Sequence, residues 1–280
     1  MYLPEQLVRA RVLVTVKTYP LPSGKYGELV CTAGLLDGNQ WIRIYPIPLS
    51  FLSDNSGYPK YSWIELDLIR NTTDPRPESY RPLNGIDEQI KVTDSIGTSN
   101  HWATRRSYVL QDVHTSMDEL ISHAKSDQVK SLATLRPKRI VDFVIEEKER
   151  EWKEKWLAQA KQGNFFELDA KGQGKPRNLV KALPYRYSYR FLTDGDTKPR
   201  ELMIQDWEIG ALYWNCLTAT DGDEEEANRL VRKKYLDEFR ETKDIYLFLG
   251  TTRANHFRVR NPFIIIGVFY PPKTDQLQLF

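Results

Sequence analysis

Residues 27–48 read GELVCTAGLLDGNQWIRIYPIP, and this stretch gives the clearest indication of the fold. Two apolar runs flank Asp37 and Gly38, a dipeptide that favours the tight turn of a β-hairpin. The preceding residues 11–20, RVLVTVKTYP, are rich in β-branched side chains. Residues 61–70, YSWIELDLIR, alternate between the two faces of a strand. Four successive strands predict a small barrel or a curled antiparallel sheet.

A helical section follows this β-rich part of the chain. The stretch HTSMDELISHAK contains a capping box, with Ser116 at the N-cap and Glu119 three residues later, and predicts a helix. The stretch RIVDFVIEEKER (residues 139–150) predicts a strand, and a charged helix is expected after it over residues 151–163.

The domain organisation follows from a linker. Residues 167–184 are rich in glycine and lysine, which is typical of a mobile connection. We therefore expect a β-rich unit with a helical middle over residues 1–170 and a second unit over 171–280, with one compact domain as the alternative. In the second unit, a hairpin around Asp194, two helices and two further strands follow in order. The predicted fold class is α+β, with an N-terminal antiparallel β barrel-like unit, a helical middle and a C-terminal ββααββ unit.

The composition is that of a soluble globular protein with little net charge. The 280 residues include 40 basic and 38 acidic side chains, a formal net charge of +2, so any nucleic-acid footprint must be local. Cys31 and Cys216 are the only cysteines, which is too few for a disulfide framework or a cysteine zinc site. They predict reduced thiols in a cytoplasmic protein. We expect no cleavable signal and no membrane span.

A basic stretch lies between the last two predicted strands. The sequence TTRANHFRVR contains Arg253, His256, Arg258 and Arg260. An exposed hairpin arm with these side chains is suited to contact phosphates, since a guanidinium donates two parallel hydrogen bonds to an anion. The alternative is a solvated turn beside a core strand.

The sequence YRYSYRF (residues 185–191) alternates aromatic and polar side chains. In a strand, Arg186 and Arg190 share one face, and Tyr187 lies on the opposite, aromatic face. Nucleic-acid surfaces combine arginine, which neutralises phosphate, with aromatic rings that stack on bases. We predict that these three residues join the basic stretch if both segments adjoin in one sheet. The alternative is a half-buried strand whose aromatic face lies in the core.

No motif specifies a reaction. Asp206 and Glu208 flank a strand-to-helix junction and, with His256, are the candidate catalytic residues if the chain is an enzyme. The four histidines show no paired metal-binding spacing, and the glycines match neither a phosphate-binding loop nor a dinucleotide site. We therefore predict no metal and no cofactor.

Three functions remain open. The leading hypothesis is a nucleic-acid-binding or -processing accessory protein of a bacterial repair or defence system. The first alternative is an enzyme that acts on a nucleotide or another anionic small molecule. The second is a non-catalytic component that binds a protein partner through exposed aromatic side chains.

Several segments together resemble an uncharacterised family of bacterial proteins: VLVTVKTYPLPSGKYGELVCTAG, WIRIYPIP, DPRPESYRP, LMIQDWEIGALYWN and NPFIIIGVFYPP. The resemblance spans nearly the whole chain. It implies a bacterial cytosolic protein, and it assigns no catalytic residue.

Overall fold

The computed structural model describes residues 3–23, 27–48, 58–85, 88–154 and 180–274. Its contacts divide the chain into two units, each built from two segments. Unit 1 consists of residues 1–94 and 146–186, and unit 2 consists of residues 95–145 and 187–280. The predicted boundary near residue 170 and the predicted helix beyond Glu154 lie outside the described residues.

Unit 1 contains a closed five-stranded barrel. Around the barrel the order is β1, β3, β4, β6, β5 and back to β1, while β2 pairs with β3 and β7 with β5. Every neighbouring pair in the ring is antiparallel except β4 and β6, which are parallel. This order is that of the OB fold, a five-stranded Greek-key barrel. The strands are β1 (Gln6–Lys17), β2 (Leu21–Ser23), β3 (Gly27–Leu36), β4 (Trp41–Pro48), β5 (Ser62–Arg70), β6 (Ser79–Pro82) and β7 (Lys91–Ser95).

The long strand β1 closes the barrel because it pairs with β3 on one side and β5 on the other. Alternate residues of β1, β4 and β5 point into the core, as the period of a strand requires. Val12, Ile44 and Ile64 are fully buried there. At Gly34 the strands approach so closely that a Cβ would lie 2.2 Å from the carbonyl oxygen of Leu13. The barrel predicted from the sequence is confirmed.

Unit 2 contains two small sheets and several helices. One sheet has the order β10, β11, β12, and the other has the order β14, β13, β9, β8. The first residues after the barrel form α1 (Ser99–Val109), β8 (Val113–His114), α2 (Met117–His123), β9 (Leu132–Leu135) and β10 (Arg139–Glu147). The C-terminal part contains β11 (Tyr185–Leu192), β12 (Arg200–Met203), α3 (Trp207–Ala219), α4 (Glu224–Arg232), a π-helical turn (Lys233–Glu238), α5 (Phe239–Thr242), β13 (Tyr246–Thr251) and β14 (Phe263–Phe269).

The ββααββ order is therefore confirmed, and an aromatic core explains it. Tyr187 and Tyr189 on β11 are buried against the helical segment, where Tyr235 and Phe239 continue the apolar stripe of α4. The ring of Phe143 on β10 stacks on Tyr187, with centroids 5.7 Å apart. Large aromatic side chains bury much apolar surface, so this contact fixes β10, β11 and the helices together. The fold is α+β.

No helix in the described part of the chain is both long and apolar enough to span a membrane.

Candidate nucleic-acid interface

The basic stretch near the C-terminus forms a loop rather than the arm of a hairpin. Strand β13 ends at Thr251 and β14 begins at Phe263, and turns fill the interval. The carbonyl oxygen of Thr252 accepts hydrogen bonds from the N–H groups of Asn255 and His256, at 3.1 and 2.9 Å. We call residues 252–262 the basic loop. Arg258 and Arg260 therefore lie outside both strands, because β13 ends at Thr251 and β14 begins only at Phe263.

The basic loop exposes three arginines and one aromatic ring. Arg253, Arg258 and Arg260 are exposed, and in the described part of the chain none of them forms an ion pair. Phe257 is 63% exposed beside them. Its ring is the one surface aromatic of this loop, and the sequence pattern did not single it out. Proteins that bind single-stranded nucleic acid use positively charged side chains to contact the backbone and exposed aromatic rings to stack on the bases.

His256 belongs to the interior and not to this surface. Its ring is fully buried, and its Nδ1 lies 2.9 Å from the hydroxyl oxygen of Thr251. The prediction of a surface role for His256 is corrected accordingly. The side chain fixes the start of the basic loop to the end of β13.

The arginines of strand β11 are paired with carboxylates, and its aromatic side chains are buried. Arg186 Nε donates to Glu146 at 2.8 Å, and Arg190 Nε donates to Glu201 at 2.8 Å. Tyr187 is buried, and its hydroxyl donates to Asn228 Oδ1 at 2.8 Å. It therefore has no face on which a base can stack, which corrects its predicted role.

The structure does not place β11 and the basic stretch in one sheet, which was the condition for the predicted single surface. Strands β11 and β14 belong to different sheets. One isolated bridge, between Ile204 and Ile265, links the end of β12 to β14. The arginines of β11 and those of the basic loop are thus presented by separate elements.

A second positive surface is a cleft that the sequence pattern did not reveal. It has a volume of about 270 Å³. One wall is the connection from β9 to β10, and the other runs from α5 into β13. We call it the basic cleft, and its cationic side chains are Arg136, Lys138, Arg139, Arg240 and Lys243.

Hydrogen bonds that involve backbone atoms fix both walls. The N–H of Arg136 donates to His114 O, and the N–H of Lys138 donates to Leu192 O, both at 2.8 Å. On the opposite wall, the ammonium group of Lys273 donates to the carbonyl oxygen of Arg240 at 2.8 Å. The cleft is therefore preorganised in its backbone.

The charge of the basic cleft is not neutralised from within. None of its five cationic side chains forms an ion pair in the described part of the chain. The one carboxylate that lines it, Asp244, is 3.2 Å from Arg106 Nη2. The guanidinium of Arg136 lies over the ring of Tyr246, 5.7 Å from the centroid, and this contact orients the side chain. Several cations in one concave surface concentrate a positive potential.

The two positive surfaces lie at opposite ends of β13. The basic cleft includes Ile245, just before the strand, and the basic loop begins just after it. A strand of this length spans about 20 Å. An extended anion is needed to contact both.

The candidate catalytic residues are built into the scaffold. Asp206 is fully buried at the N-cap of α3, where its carboxylate accepts from the N–H groups of Glu208 at 3.1 Å and Val268 at 3.3 Å. Glu208 lies in the first turn of that helix. Asp206, Glu208 and His256 do not line the basic cleft.

Neither cysteine is an activated nucleophile. Burial raises the pKa of the Cys31 thiol, and it outweighs the opposing effect of Arg43. Burial likewise raises the pKa of Cys216. Both thiols therefore stay protonated at neutral pH, and a thiolate is the reactive form.

The fold and these surfaces define an α+β protein with an OB-type barrel and an unneutralised basic cleft. The chain belongs to the family described as Domain of unknown function (DUF8757), whose model matches residues 113–280. A second model, Domain of unknown function (DUF8758), matches residues 8–111. The resemblance to an uncharacterised family is confirmed.

The comparison with curated proteins finds no match. Among solved structures, one described as "Structure of murine DNA binding protein bound with ds DNA" is similar at 10% sequence identity and a TM-score of 0.31, over 97% of this chain and 100% of that chain. A likeness at this level carries no argument about what the present chain binds.

Proposed function

We propose that this protein binds the phosphate backbone of nucleic acid through unit 2, with the basic cleft as the principal anchor. The observation that carries the proposal is the set of five cationic side chains without acidic partners in the described part of the chain, beside a carboxylate already paired with Arg106. Cations left without partners repel one another, and a polyphosphate relieves that repulsion while it releases its own counterions.

The separation of the two positive surfaces favours a long ligand over a small one. A duplex rises about 3.4 Å per base pair, so the roughly 20 Å between the ends of β13 corresponds to about six base pairs. The exposed ring of Phe257 adds a stacking group beside Arg258 and Arg260. The barrel of unit 1 agrees with this function by analogy of fold alone, since OB folds frequently bind oligonucleotides.

A nucleotide or another small anion is the second candidate, and the concave shape of the basic cleft favours it. Its volume of about 270 Å³ is close to the lower end of ordinary ligand sites, about 300 Å³. Among the residues that line it, Asp244 is the single carboxylate, and it is ion-paired. The cleft is therefore suited to binding an anion and offers no free general base. A role in repair or defence and a protein partner stay predictions.

The test is binding of labelled single- and double-stranded DNA and RNA to the full chain across a salt series. Two charge-removing double variants are compared with the wild type: Arg139→Ala/Arg240→Ala in the basic cleft and Arg258→Ala/Arg260→Ala in the basic loop. The matched control is Arg186→Ala/Arg190→Ala, which removes the same charge from arginines that already have carboxylate partners.

We expect the cleft variant to flatten the log–log salt slope by about 0.9 per lost contact on duplex and about 0.7 on a single strand. The control is expected to retain the wild-type slope. Absence of wild-type binding at low salt overturns the proposal. Equal losses in the control and cleft variants also overturn it, because general charge then explains the affinity. Complete displacement of the oligonucleotide by stoichiometric ATP favours the nucleotide site instead.

A further inference from the structure

Three metal-ligand side chains meet at the junction of β8 and α2. His114 is the last residue of β8, and Glu119 and His123 lie on α2. One donor atom from each residue lies within 4.8 Å of the others. The histidine spacing in the sequence predicted no metal site, and no part of the proposed nucleic-acid surface uses these residues.

Local structure explains why these residues meet. The chain turns between β8 and α2 at Ser116, whose hydroxyl caps α2 by accepting from the N–H of Glu119. Glu119 and His123 are four residues apart, so they project from the same face of the helix. The turn then brings His114 of the preceding strand against that face. The resulting spacing, H-x4-E-x3-H, crosses two elements and matches no single-helix signature.

The geometry of the three groups is close to that of a coordination shell. His114 Nδ1 is 3.6 Å from Glu119 Oε1, and the two imidazole centroids are 6.0 Å apart. Ligands of a tetrahedral ion at about 2.1 Å stand about 3.4 Å from one another, so small side-chain rotations complete the shell. His123 Nδ1 is buried and has no hydrogen-bond partner in the described part of the chain. A buried ring nitrogen without a partner is costly, and a metal ion would satisfy it.

We propose that His114, Glu119 and His123 bind a divalent transition metal of the Zn²⁺ type. Two imidazoles and one carboxylate suit Zn²⁺, whereas Mg²⁺ and Ca²⁺ prefer oxygen ligands alone. His114 is almost fully buried, while the Glu119 side chain is 50% exposed. The fourth position of such a site therefore faces solvent.

Two charged side chains lie beside His114. Asp112 can orient its ring, and Lys130 occupies the position that must be vacated when a metal binds. Asp112 Oδ1 lies 3.5 Å from His114 Nε2, where a carboxylate holds the ring of a metal-bound histidine in the correct tautomer. Lys130 Nζ lies 2.8 Å from the same nitrogen and 2.9 Å from Asp112 Oδ2. When a metal binds Nδ1, the proton must sit on Nε2, and the ammonium group of Lys130 must move away. The position of the Lys130 ammonium group therefore affects the affinity of the site for a metal ion.

The test is titration of the full chain with Co²⁺, read from visible absorption, and equilibrium dialysis with Zn²⁺. We expect one ion per chain and no near-ultraviolet thiolate band, since Cys31 and Cys216 are not ligands. Glu119→Gln and His123→Ala are expected to weaken binding by more than the roughly 10- to 100-fold that loss of an outer-shell partner causes. Asp112→Asn changes an outer-shell partner, so we expect it to weaken metal binding by roughly 10- to 100-fold. Lys130→Gln should bind more tightly than the wild type.

The control is His101→Ala, which removes an exposed histidine that does not belong to this cluster. Glu119→Gln decides the matter if His123→Ala fails to fold, because the Glu119 side chain is half-exposed and the change is isosteric. Absence of saturable binding, binding unchanged by Glu119→Gln, or a thiolate band overturns the proposal. The nucleic-acid affinity of Glu119→Gln in the presence of a chelator is expected to equal that of the wild type, so the two proposals succeed or fail separately.

Discussion

Arg106 Nη2 lies 3.2 Å from Asp244 Oδ2 and 2.7 Å from the carbonyl oxygen of Pro272. This arginine on α1 therefore neutralises the one carboxylate that lines the basic cleft. Removal of either member of the pair changes the potential of the cleft without touching its five cationic side chains.

Arg106→Ala should weaken oligonucleotide binding about two- to fivefold, because it leaves the Asp244 charge in the cleft, and a partly exposed charge pair is worth about 0.5–1 kcal/mol. Asp244→Asn should strengthen binding by a similar factor. The double variant should return to the wild-type affinity or exceed it. Dissociation constants at one fixed salt concentration provide the measurement. Weak binding that persists in the double variant contradicts the electrostatic explanation and points to a structural defect.

Asp206→Ala should lower the free energy of unfolding by about 2–4 kcal/mol, the sum of a lost helix cap and a buried N–H left without its acceptor. The N–H of Val268 would lose its contact with the carboxylate. The matched control is Asp223→Ala, which removes the cap of α4 at an exposed position, where Asp223 accepts from Glu226 N at 3.0 Å. Its expected cost is about 1 kcal/mol. Denaturant unfolding measures both, and equal losses in the two variants contradict the buried role of Asp206.

Gly34→Ala should destabilise the barrel by about 3 kcal/mol or more, because the added Cβ meets backbone atoms of β1 that cannot rotate away. The closest is the carbonyl oxygen of Leu13, at 2.2 Å. Gly38→Ala is the control, since its Cβ meets only the Gln40 side chain, at 3.6 Å. That change is expected to stay within about 0.5 kcal/mol. If thermal unfolding shows Gly38→Ala to be less stable than Gly34→Ala, the close approach of β1 to Gly34 is refuted.

Asp196 should make the stability of unit 2 depend on pH in the acid range. Burial alone would raise its pKa, but hydrogen bonds from Arg200 and Thr193 outweigh that effect and hold the pKa below the ordinary value of 3.8. A carboxyl with a lowered folded pKa stabilises the fold above its unfolded pKa, and that contribution is lost as pH falls through the folded pKa. We expect the wild type to lose stability below about pH 4.

Asp196→Asn replaces the titrating carboxyl group with an amide that does not titrate in this pH range. The variant should be less stable than the wild type at neutral pH, and the difference between the two should shrink as the pH falls below about 4. Unfolding curves at a series of pH values supply the comparison. A difference that stays constant with pH rules out Asp196 as the source.

The elements that could be predicted correctly from the sequence are those with local determinants. The Asp37-Gly38 turn, the alternation in β5 and the Ser116 capping box each depend on neighbours in the chain. The structure bears them out at β3, β4, β5 and α2. The barrel follows because successive strands that each have an apolar face have few other ways to bury those faces.

The sites were harder to predict because their residues are distant in sequence. Arg136 and Arg240 line the same basic cleft although about a hundred positions separate them in the sequence. Alternation in YRYSYRF showed that two faces exist but not which one the helices cover. The same limit applies to Arg186 and Arg190, whose carboxylate partners lie on other strands.

The two-segment composition of each unit has a consequence for synthesis on the ribosome. The barrel strands β1 to β6 end at Pro82, so they can assemble while the rest of the chain is still being made. Strand β9 pairs with β13, which is translated more than a hundred residues later. Until then the edge of β9 is a template for wrong pairing. A ribosome that stalls between these strands would release a chain with a finished barrel and an aggregation-prone remainder.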